Sequence, residues 1–253
     1  MASQKRIAWI TGASSGIGRA LSLRMQADGW IVVASARRAE ALAELAAAAS
    51  SIVPLPLDVR DASAVVAAVR HIEDEVGPID AAVLSAGTYV PMRARAFSAQ
   101  VVRDTLELNT LGVAHCLEAL LPRMLERGHG RIVAVASLAG YRGMPTSAAY
   151  GASKAAVIHM MEALQPELAG TGVVLQVANP GFVRTPLTDR NTFAMPFRME
   201  VEDAVDALYR GMQKDRFEIV FPLSLALILK AARLLPAGLY LRLMRRLVPT
   251  GDR

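Results

Sequence analysis

The sequence predicts a doubly wound α/β fold, in which a seven-stranded parallel sheet is covered by helices on both faces. Three observations lead to this prediction. Apolar, β-branched runs recur along the 253 residues, stretches with helical spacing separate these runs, and a glycine-rich turn follows the first run.

Each predicted strand is apolar throughout, which is typical of strands that are buried on both faces of a parallel sheet. In chain order the seven runs are RIAWIT, WIVVAS, SIVPLPL, DAAVLSA, RIVAVAS, GVVLQVA and FEIVFP. The main helical stretches between them span residues 17–27, 39–49, 62–76 and 101–125. In such a sheet we expect ligands at the carboxyl ends of the strands.

Composition limits the class of protein. With 53% hydrophobic residues, the chain can bury one large core, so we expect a single domain over residues 1–253. Cys116 is the only cysteine, which excludes an internal disulfide and favours a reducing, cytoplasmic compartment. The first residues lack a signal-peptide pattern, and the longest uncharged stretch late in the chain, residues 219–229, is too short to span a bilayer.

The segment TGASSGIG, residues 11–18, follows the first strand and opens the first helix. Glycines at positions 12, 16 and 18 permit a tight turn and a close backbone approach, so the amides of the helix N-terminus can face a pyrophosphate. A nucleotide site is therefore favoured over a plain structural turn. The spacing is TGxxxGxG and not GxGxxG.

The second strand ends in SARR, where an acidic residue would favour NAD and a basic residue would accommodate the extra phosphate of NADP. Arg37 and Arg38 favour NADP, because a guanidinium matches a phosphate monoester. The alternative is two solvated arginines at a helix start. Asp58, which ends the third strand in LDVRD, either accepts a hydrogen bond from the adenine amino group or caps a turn.

The stretch AAYGASKAA, residues 148–156, places a phenol and an ammonium four residues apart. Ser147 is positioned to cap a helix that begins near Ala148, and on that helix Tyr150 and Lys154 share a face. An isolated tyrosine has a pKa of about 10, and a nearby ammonium favours the phenolate. We therefore expect Lys154 to make Tyr150 a usable acid or base.

Three further segments are expected at the same edge of the sheet. The fifth strand ends in AVAS, which places Ser137 where a hydroxyl can bind the oxygen of a reacting carbonyl. Asn109 lies on the long helix before that strand and is expected to order a water next to Lys154. The segment NPGFVRT, residues 179–185, follows the sixth strand and is expected to turn beside the nicotinamide end of a dinucleotide.

Together these segments resemble the short-chain dehydrogenase/reductase family. TGASSGIG, LDVRD, LSAG, Asn109, Ser137, YGASK and NPGFVRT occur in the order and at the spacings of that family, within residues 5–221. The resemblance implies a Rossmann fold with a nicotinamide dinucleotide, a family core over residues 5–221 and a homodimer or homotetramer. Residues 222–253 then form a basic amphipathic helical tail.

By this resemblance, Asn109, Ser137, Tyr150 and Lys154 form the catalytic tetrad, and Lys154 also holds the nicotinamide ribose. With the two arginines above, the residues expected to contact the cofactor are Gly12, Ser14, Ser15, Gly16, Ile17, Gly18, Arg37, Arg38, Asp58, Val59, Ala86, Gly87, Tyr150, Lys154, Pro180, Gly181, Val183 and Thr185. Ser85 in LSAG departs from the asparagine usual in the family. We expect this difference to lower local stability and to leave the chemistry intact.

The implied function is that of an NADP-dependent oxidoreductase, which interconverts a carbonyl and a secondary or primary alcohol. NADPH supplies hydride, Tyr150 protonates the carbonyl oxygen and Ser137 holds that oxygen. One alternative is a catalytically silent NADP(H)-binding sensor or regulatory protein on the same fold. A sugar-nucleotide epimerase or dehydratase is disfavoured, because the chain lacks a sizeable second region. The four histidines form no motif, and no metal site is expected.

The net charge of +5 is concentrated in residues 222–253, where six bases accompany one acid, so the first 221 residues are neutral. Two short helices separated by Pro236 are expected there. Their bases include Arg242, Arg245 and Arg246, on the side away from Leu239, Leu243 and Leu247. Such helices bind an anionic membrane surface peripherally, cover a substrate cleft or join subunits, and these alternatives stay open. Nucleic acid is disfavoured as a partner.

The apolar side of the tail, as a cover for the cleft, suggests a lipophilic substrate, such as a fatty, retinoid-like or steroid-like alcohol or ketone. Residues 182–199 resemble the mobile substrate loop of the family. The apolar side chains of that segment are Phe193, Met195, Phe197 and Met199, and they favour the same class of substrate.

Overall fold

The computed structural model describes residues 5–190 and 194–248. In these residues the strands are β1 (Ile7–Thr11), β2 (Ile31–Ala36), β3 (Ile52–Pro56), β4 (Ala81–Leu84), β5 (Gly130–Val135), β6 (Val173–Pro180) and β7 (Glu218–Phe221). The α-helices are α1 (Gly16–Ala27), α2 (Ala39–Ala47), α3 (Ala62–Glu75), α4 (Ala99–Leu106), α5 (Gly112–Arg127), α6 (Ala148–Leu164), α7 (Val201–Met212), α8 (Leu223–Arg233) and α9 (Ala237–Arg246).

The strands form one parallel sheet with the order β3-β2-β1-β4-β5-β6-β7. The order reverses at β1, which pairs with both β2 and β4, so that Thr11 lies beside Ser35 on one side and Leu84 on the other. In doubly wound sheets this switch point opens a crevice at the carboxyl ends of the strands.

Alternate side chains of the strands point into two separate cores. In β1, Trp9 packs into the core formed with α3, α5 and α6, whereas Ile10 packs into the core formed with α1, α2 and α7. Both side chains are fully buried. Because helices cover both faces of the sheet, the strands have no polar side, and the predicted doubly wound fold is confirmed.

The helical stretch predicted over residues 101–125 is confirmed, with one local difference. It is interrupted by a π-helical turn at Glu107–Leu111, which joins α4 to α5. This turn contains Asn109, whose side chain is held by groups outside the turn, and single π turns within helices are frequent at functional sites. The spacing of apolar residues predicts the helix and not the extra residue of the π turn.

Ser147 occupies the N-cap position of α6, as predicted, but its side chain makes no capping hydrogen bond. Its backbone, with φ −108° and ψ 23°, is not in the extended conformation that aims a cap side chain at the helix amides. The prediction of the helix start is therefore right and the predicted capping bond is wrong.

The tail helices α8 and α9 follow β7, the edge strand of the sheet, and α8 packs beside it. Leu225 and Ala226 of α8 are buried in the core shared with α6. Lys230, one turn further along α8, forms an ion pair with Glu218 of β7. The described part of the chain has no helix long and apolar enough to cross a membrane.

The loop between β5 and α6 also holds the tail. The guanidinium of Arg142 donates hydrogen bonds to the carbonyl groups of Ala232, Arg233 and Leu235 at the end of α8, the last at 2.9 Å. The hydroxyl of Tyr240 in α9 donates to the carbonyl oxygen of Gly143 at 2.7 Å. The tail is thus attached to the loop that connects the predicted catalytic residues of β5 and α6.

Candidate active site

A cleft of about 570 Å³ opens at the carboxyl ends of the central strands, at the switch point of the sheet. Its lining includes all the residues expected to contact a cofactor, namely Gly12, Ser14, Ser15, Gly16, Ile17, Gly18, Arg37, Arg38, Asp58, Val59, Ala86, Gly87, Tyr150, Lys154, Pro180, Gly181, Val183 and Thr185. The structure therefore brings the glycine turn, the two arginines and the Tyr150–Lys154 pair to one cavity.

The glycine turn between β1 and α1 has no room for side chains at two of its positions. Gly12 has φ +70°, and a Cβ there would lie 2.8 Å from backbone atoms of Ala86. A Cβ on Gly18 would lie 2.5 Å from the carbonyl oxygen of Gly12. The turn is thus folded tightly against β4, which leaves the N-terminus of α1 open toward the cleft.

The end of β2 supplies positive charge to the cleft wall. Arg37 and Arg38 are both exposed there. The guanidinium of Arg38 donates to the carbonyl oxygen of Ser14 at 3.2 Å and to its hydroxyl at 3.1 Å, so it lies across the glycine turn. The two arginines and the N-terminus of α1 therefore face the same part of the cleft.

Asp58, after β3, is engaged by its own chain. Its carboxylate accepts a hydrogen bond from the backbone N–H of Arg60 and forms an ion pair with the Arg60 guanidinium at 2.6 Å. Hydrogen bonds from the Arg60 side chain are the largest influence on the pKa of Asp58 and lower it. The turn-capping role is therefore observed, and the carboxylate still borders the cleft.

Lys154 is almost completely buried, with 4% of its surface exposed. Its Nζ donates a hydrogen bond to the carbonyl oxygen of Val135 at 2.8 Å and lies 5.9 Å from the centre of the Tyr150 ring. Because burial disfavours the ammonium, the pKa of Lys154 falls to about 8.

The Tyr150 phenol responds to burial in the opposite direction. Burial raises the pKa of this phenol, contact with the Ser137 hydroxyl lowers it in part, and Tyr89 raises it further. The expectation that Lys154 lowers the pKa of Tyr150 is therefore wrong for this structure. The physical reason is that the Lys154 ammonium is itself buried and donates its hydrogen bond to the Val135 carbonyl oxygen, while burial of the phenol dominates the pKa of Tyr150.

Ser137 begins the short turn that follows β5. Its Oγ accepts a hydrogen bond from the Ala139 N–H at 3.1 Å and donates to the Pro180 carbonyl oxygen at 3.4 Å. Its contact with the phenol of Tyr150 places two hydroxyl groups side by side next to the cleft. Ser137 itself is buried, with 7% of its surface exposed, and its neighbours Ala136 and Tyr150 line the cavity.

Asn109 lies in the π-helical turn and is fully buried. Its Oδ1 accepts from the Thr88 N–H at 2.7 Å, and its Nδ2 donates to the Thr88 carbonyl oxygen at 2.9 Å and to the Ser153 hydroxyl at 3.0 Å. A Cβ on Gly87 would lie 3.2 Å from Asn109 Oδ1 and 3.5 Å from Lys154 Nζ. Asn109 and Lys154 therefore meet around Gly87, and the amide of Asn109 mainly fixes the loop after β4.

The segment after β6 closes the opposite side of the cleft. Pro180, Gly181 and Val183 line it. Thr185 lies across from the glycine turn, since a Cβ on Gly16 would be 3.3 Å from its methyl group. Further along this segment, Met199 pairs with Val183, and Phe197 is half exposed. Phe193, assigned above to the substrate loop, lies outside the described residues.

Three residues of this region were missed by sequence reasoning. The hydroxyl of Thr11 accepts hydrogen bonds from the N–H groups of Ser85 and Ala86 and so joins β1 to the end of β4. Arg60 holds Asp58, as described above. Tyr89 packs its ring edge-on against Tyr150, with 5.1 Å between ring centres, and its buried hydroxyl has no hydrogen-bond partner within residues 5–190 and 194–248. The position of Tyr89 just after LSAG was the available signal.

Histidine and cysteine do not add a metal centre to this cleft. Across the residues that the structure describes, no group of three or more His, Cys, Asp or Glu side chains is placed to hold a metal ion. Cys116 is buried in α5, and burial raises the pKa of its thiol to about 12.

Comparison with known proteins gives the same family as the motifs. A family model described as short chain dehydrogenase matches residues 6–195. An uncharacterized oxidoreductase of Myxococcus xanthus is 41% identical over 246 residues, which cover 96% of this chain and 97% of that protein.

Solved structures with bound dinucleotides are also similar. A short chain dehydrogenase/reductase from Burkholderia phymatum in complex with NAD is 25% identical, with a TM-score of 0.82 over 91% of this chain and 93% of that one. A serine dehydrogenase complexed with NADP+ is 27% identical, with a TM-score of 0.77 over 85% of this chain and 94% of that one. The chain described here belongs to the short-chain dehydrogenase family of oxidoreductases, which use a nicotinamide cofactor.

Proposed function

We propose that this protein is an NADP-dependent oxidoreductase that interconverts a lipophilic carbonyl compound and the corresponding secondary or primary alcohol. The observation that supports this most directly is the shared cleft. Its walls hold a glycine turn at a helix N-terminus, two arginines at the end of β2, and a tyrosine and a buried lysine on one helix.

The residues present fit a dinucleotide. Gly12, Gly16 and Gly18 all line the cleft at the N-terminus of α1, so the backbone of the turn is available for close approach of a pyrophosphate. The adenosine end would then lie toward β2 and Asp58, and the nicotinamide end toward Tyr150 and Lys154.

The choice of NADP over NAD rests on Arg37 and Arg38. Both guanidinium groups are exposed at the end of β2, where no carboxylate precedes Glu40. Arg38 already contacts the glycine turn, so a 2′-phosphate next to it would gain charge-assisted hydrogen bonds. The similar structures do not favour one cofactor, because they include one with NADP+ and one with NAD. The proposal of NADP therefore rests on the two arginines.

The cofactor, when bound, supplies or accepts the hydride. In the proposed reduction, the phenol of Tyr150 donates a proton to the carbonyl oxygen, and the Ser137 hydroxyl beside it orients that oxygen. Lys154, which is fixed by its hydrogen bond to the Val135 carbonyl oxygen, would hold the ribose of the bound cofactor. Asn109 keeps the loop after β4 in place through Thr88.

The proton that reduction requires is present on Tyr150 at neutral pH. Burial raises the pKa of the phenol, so the hydroxyl stays protonated there and can act as the acid. Oxidation of an alcohol requires the phenolate, so the rate of oxidation is expected to increase with rising pH.

The lipophilic substrate is proposed from apolar residues near the nicotinamide end. Tyr89 packs on Tyr150, and the segment after β6 contributes the exposed ring of Phe197. Apolar walls of this kind bind hydrocarbon in proportion to the area they bury. Aldehydes and ketones of graded chain length are the direct probe.

The test is a titration of the protein with NADPH and NADH, followed by NADPH consumption with that panel of carbonyl compounds. We expect tighter binding of NADPH, and a double variant Arg37→Ala/Arg38→Ala that loses this preference and leaves NADH binding unchanged. Equal affinity for both dinucleotides would contradict the assignment of NADP. Tight NADPH binding without consumption of any carbonyl would favour the alternative, a catalytically silent sensor.

A further inference from the structure

The C-terminal tail, residues 222–248, exposes large apolar side chains far more densely than the rest of the chain. Among the residues that the structure describes, eight of the fourteen exposed large hydrophobic residues belong to the tail: Leu223, Leu227, Ile228, Leu234, Leu239, Leu241, Leu243 and Leu247. Leu234 is the most exposed of them, at 87%. Concentrated apolar exposure of this kind marks an interaction surface.

In α8 the exposed leucines form one stripe. Leu223, Leu227 and Leu234 are separated by four and seven residues, so they lie on the same side of the helix. Leu225 lies on the opposite side of the helix and Ala226 between the two sides, and both are buried in the core. The stripe is therefore directed away from the protein by the packing of α8 itself.

In α9 a second stripe is formed by Leu239, Leu243 and Leu247, at intervals of four residues. Tyr240 is buried against the loop after β5 and fixes the rotation of this helix. The three leucines are nevertheless exposed, at 47%, 38% and 62% in chain order, although Tyr240 lies beside Leu243, three residues before it on the helix.

The same helix is strongly basic. Arg242, Arg245 and Arg246 are all exposed. Arg242 and Arg246 lie three residues after Leu239 and Leu243, so these two border the second stripe, and the prediction that they lie on the opposite side is wrong. Residues 219–251 contain no Asp or Glu. The exposed leucines are thus bordered by positive charge that the tail itself does not neutralise.

We propose that residues 222–248 form a docking surface for an anionic lipid bilayer. The leucine stripes of α8 and α9 would enter the boundary between head groups and acyl chains, and the arginines of α9 would contact anionic head groups. An anionic bilayer offers hydrocarbon to the apolar stripes and negative charge to the bases beside them, so it complements both features of the surface.

A second copy of the chain fits the surface less well. A two-fold interface places the same patch of both subunits together, so the arginines of one tail would face those of the other without an intervening carboxylate. A nucleic acid would neutralise the arginines and leave the leucines in water. The charge of the tail therefore selects an anionic surface that is also apolar below its head groups.

The docking surface is tied to the candidate active site. Arg142 holds the end of α8, and Tyr240 of α9 holds Gly143. Both loop residues lie in the connection from Ser137 to Tyr150. A docked tail would therefore keep the cleft at a fixed position relative to the bilayer. The docking proposal itself does not depend on the proposed function, because lipid binding is measured without substrate.

The test is sedimentation of the full-length protein with vesicles of phosphatidylcholine alone and of phosphatidylcholine mixed with phosphatidylglycerol. We expect binding to the anionic vesicles only, and weaker binding as salt is added. The variant Arg242→Gln/Arg245→Gln/Arg246→Gln is expected to bind on the order of a hundredfold more weakly, since each base near an anionic surface contributes about fivefold.

A second variant tests the apolar stripe. Leu227→Gln/Leu234→Gln should also lose vesicle binding, with an unchanged melting temperature because both side chains are exposed. Matched controls are Leu125→Gln and Arg70→Gln/Arg103→Gln/Arg210→Gln, which change exposed residues outside the tail and should bind like the unmodified protein.

Three results would overturn the proposal. One is equal sedimentation with neutral and anionic vesicles, and another is full binding by the triple arginine variant. The third is absence of sedimentation together with dissociation of an oligomer by Leu227→Gln/Leu234→Gln in analytical ultracentrifugation, which would assign the surface to a second copy of the chain.

Discussion

The carboxyl edge of the sheet buries polar side chains, whereas the C-terminal tail exposes apolar ones. At the sheet edge, Asn109 is fully buried and Lys154 nearly so, and both are hydrogen-bonded to neighbouring loops and strands. In the tail, Leu227 and Leu234 lie in contact with solvent, at 58% and 87% exposure.

The difference indicates which region is stabilised by contacts within the chain and which is available for binding. Burial of a polar group is costly unless it is hydrogen-bonded, so Asn109 and Lys154 are held by partners within the chain and can position reacting groups. The exposed leucines of the tail gain little within the chain, which is why we propose a docking surface there. Substitutions of the same kind in the two regions should therefore have unequal effects.

The largest difference is expected for lysine. Lys154→Met keeps the volume of the side chain but removes the charge and the donor to Val135, and turnover should fall by on the order of a hundredfold. Lys230→Met in α8 breaks the ion pair with Glu218 and the contact of the ammonium with the Tyr141 ring, both outside the cleft, and turnover should stay near the unmodified value. Steady-state NADPH consumption measures both. If both variants lose turnover to a similar extent, the catalytic role of Lys154 is not distinguished from the structural role of Lys230.

Glycine substitutions give the next largest effect. Gly12→Ala and Gly29→Ala both place a side chain at positive φ, which costs roughly 1–2 kcal/mol. Only Gly12 would also contact backbone of Ala86, and the forced shift should add about 1–3 kcal/mol and abolish dinucleotide binding.

Gly29 is the matched control because nothing lies within 4 Å of its added Cβ. Gly238→Ala, in the open N-terminal turn of α9, should instead raise stability by up to about 1 kcal/mol. Chemical denaturation measures all three variants. If Gly12→Ala is as stable as Gly29→Ala, the turn accommodates a Cβ at position 12, which would contradict the 2.8 Å contact with Ala86.

Removal of a tyrosine hydroxyl should have the smallest effect, with opposite signs in the two regions. Tyr240→Phe loses the bond to Gly143 and should lower the free energy of unfolding by about 1 kcal/mol. Tyr89→Phe removes a buried hydroxyl that has no partner in the described chain, so stability should stay level or increase. A loss of stability in Tyr89→Phe would indicate that this hydroxyl has a partner, such as ordered water, in solution.

The sequence predicted the fold and the position of the cleft well, because both follow from local patterns. Buried parallel strands are recognisable from their uniform apolar character, and strand ends lie at one edge by topology. Gly12, Arg37, Tyr150 and Lys154 could therefore be assigned to one cleft before any coordinates.

What the sequence did not predict depends on contacts between distant segments. The π-helical turn at Asn109 and the direction of the pKa shift of Tyr150 both follow from burial by other elements. The orphan hydroxyl of Tyr89 and the attachment of the tail through Arg142 are contacts of the same long-range kind. Neither periodicity nor a motif reports how deeply a side chain is desolvated.

We propose that the Tyr150 phenol exchanges a proton with a carbonyl oxygen in a cleft that binds NADPH. This role is tested by comparing Tyr150→Phe with the unmodified protein in NADPH titration and in NADPH consumption with an accepted carbonyl substrate. We expect nearly unchanged NADPH affinity and a loss of turnover of roughly a thousandfold or more. Undiminished turnover in Tyr150→Phe would contradict it.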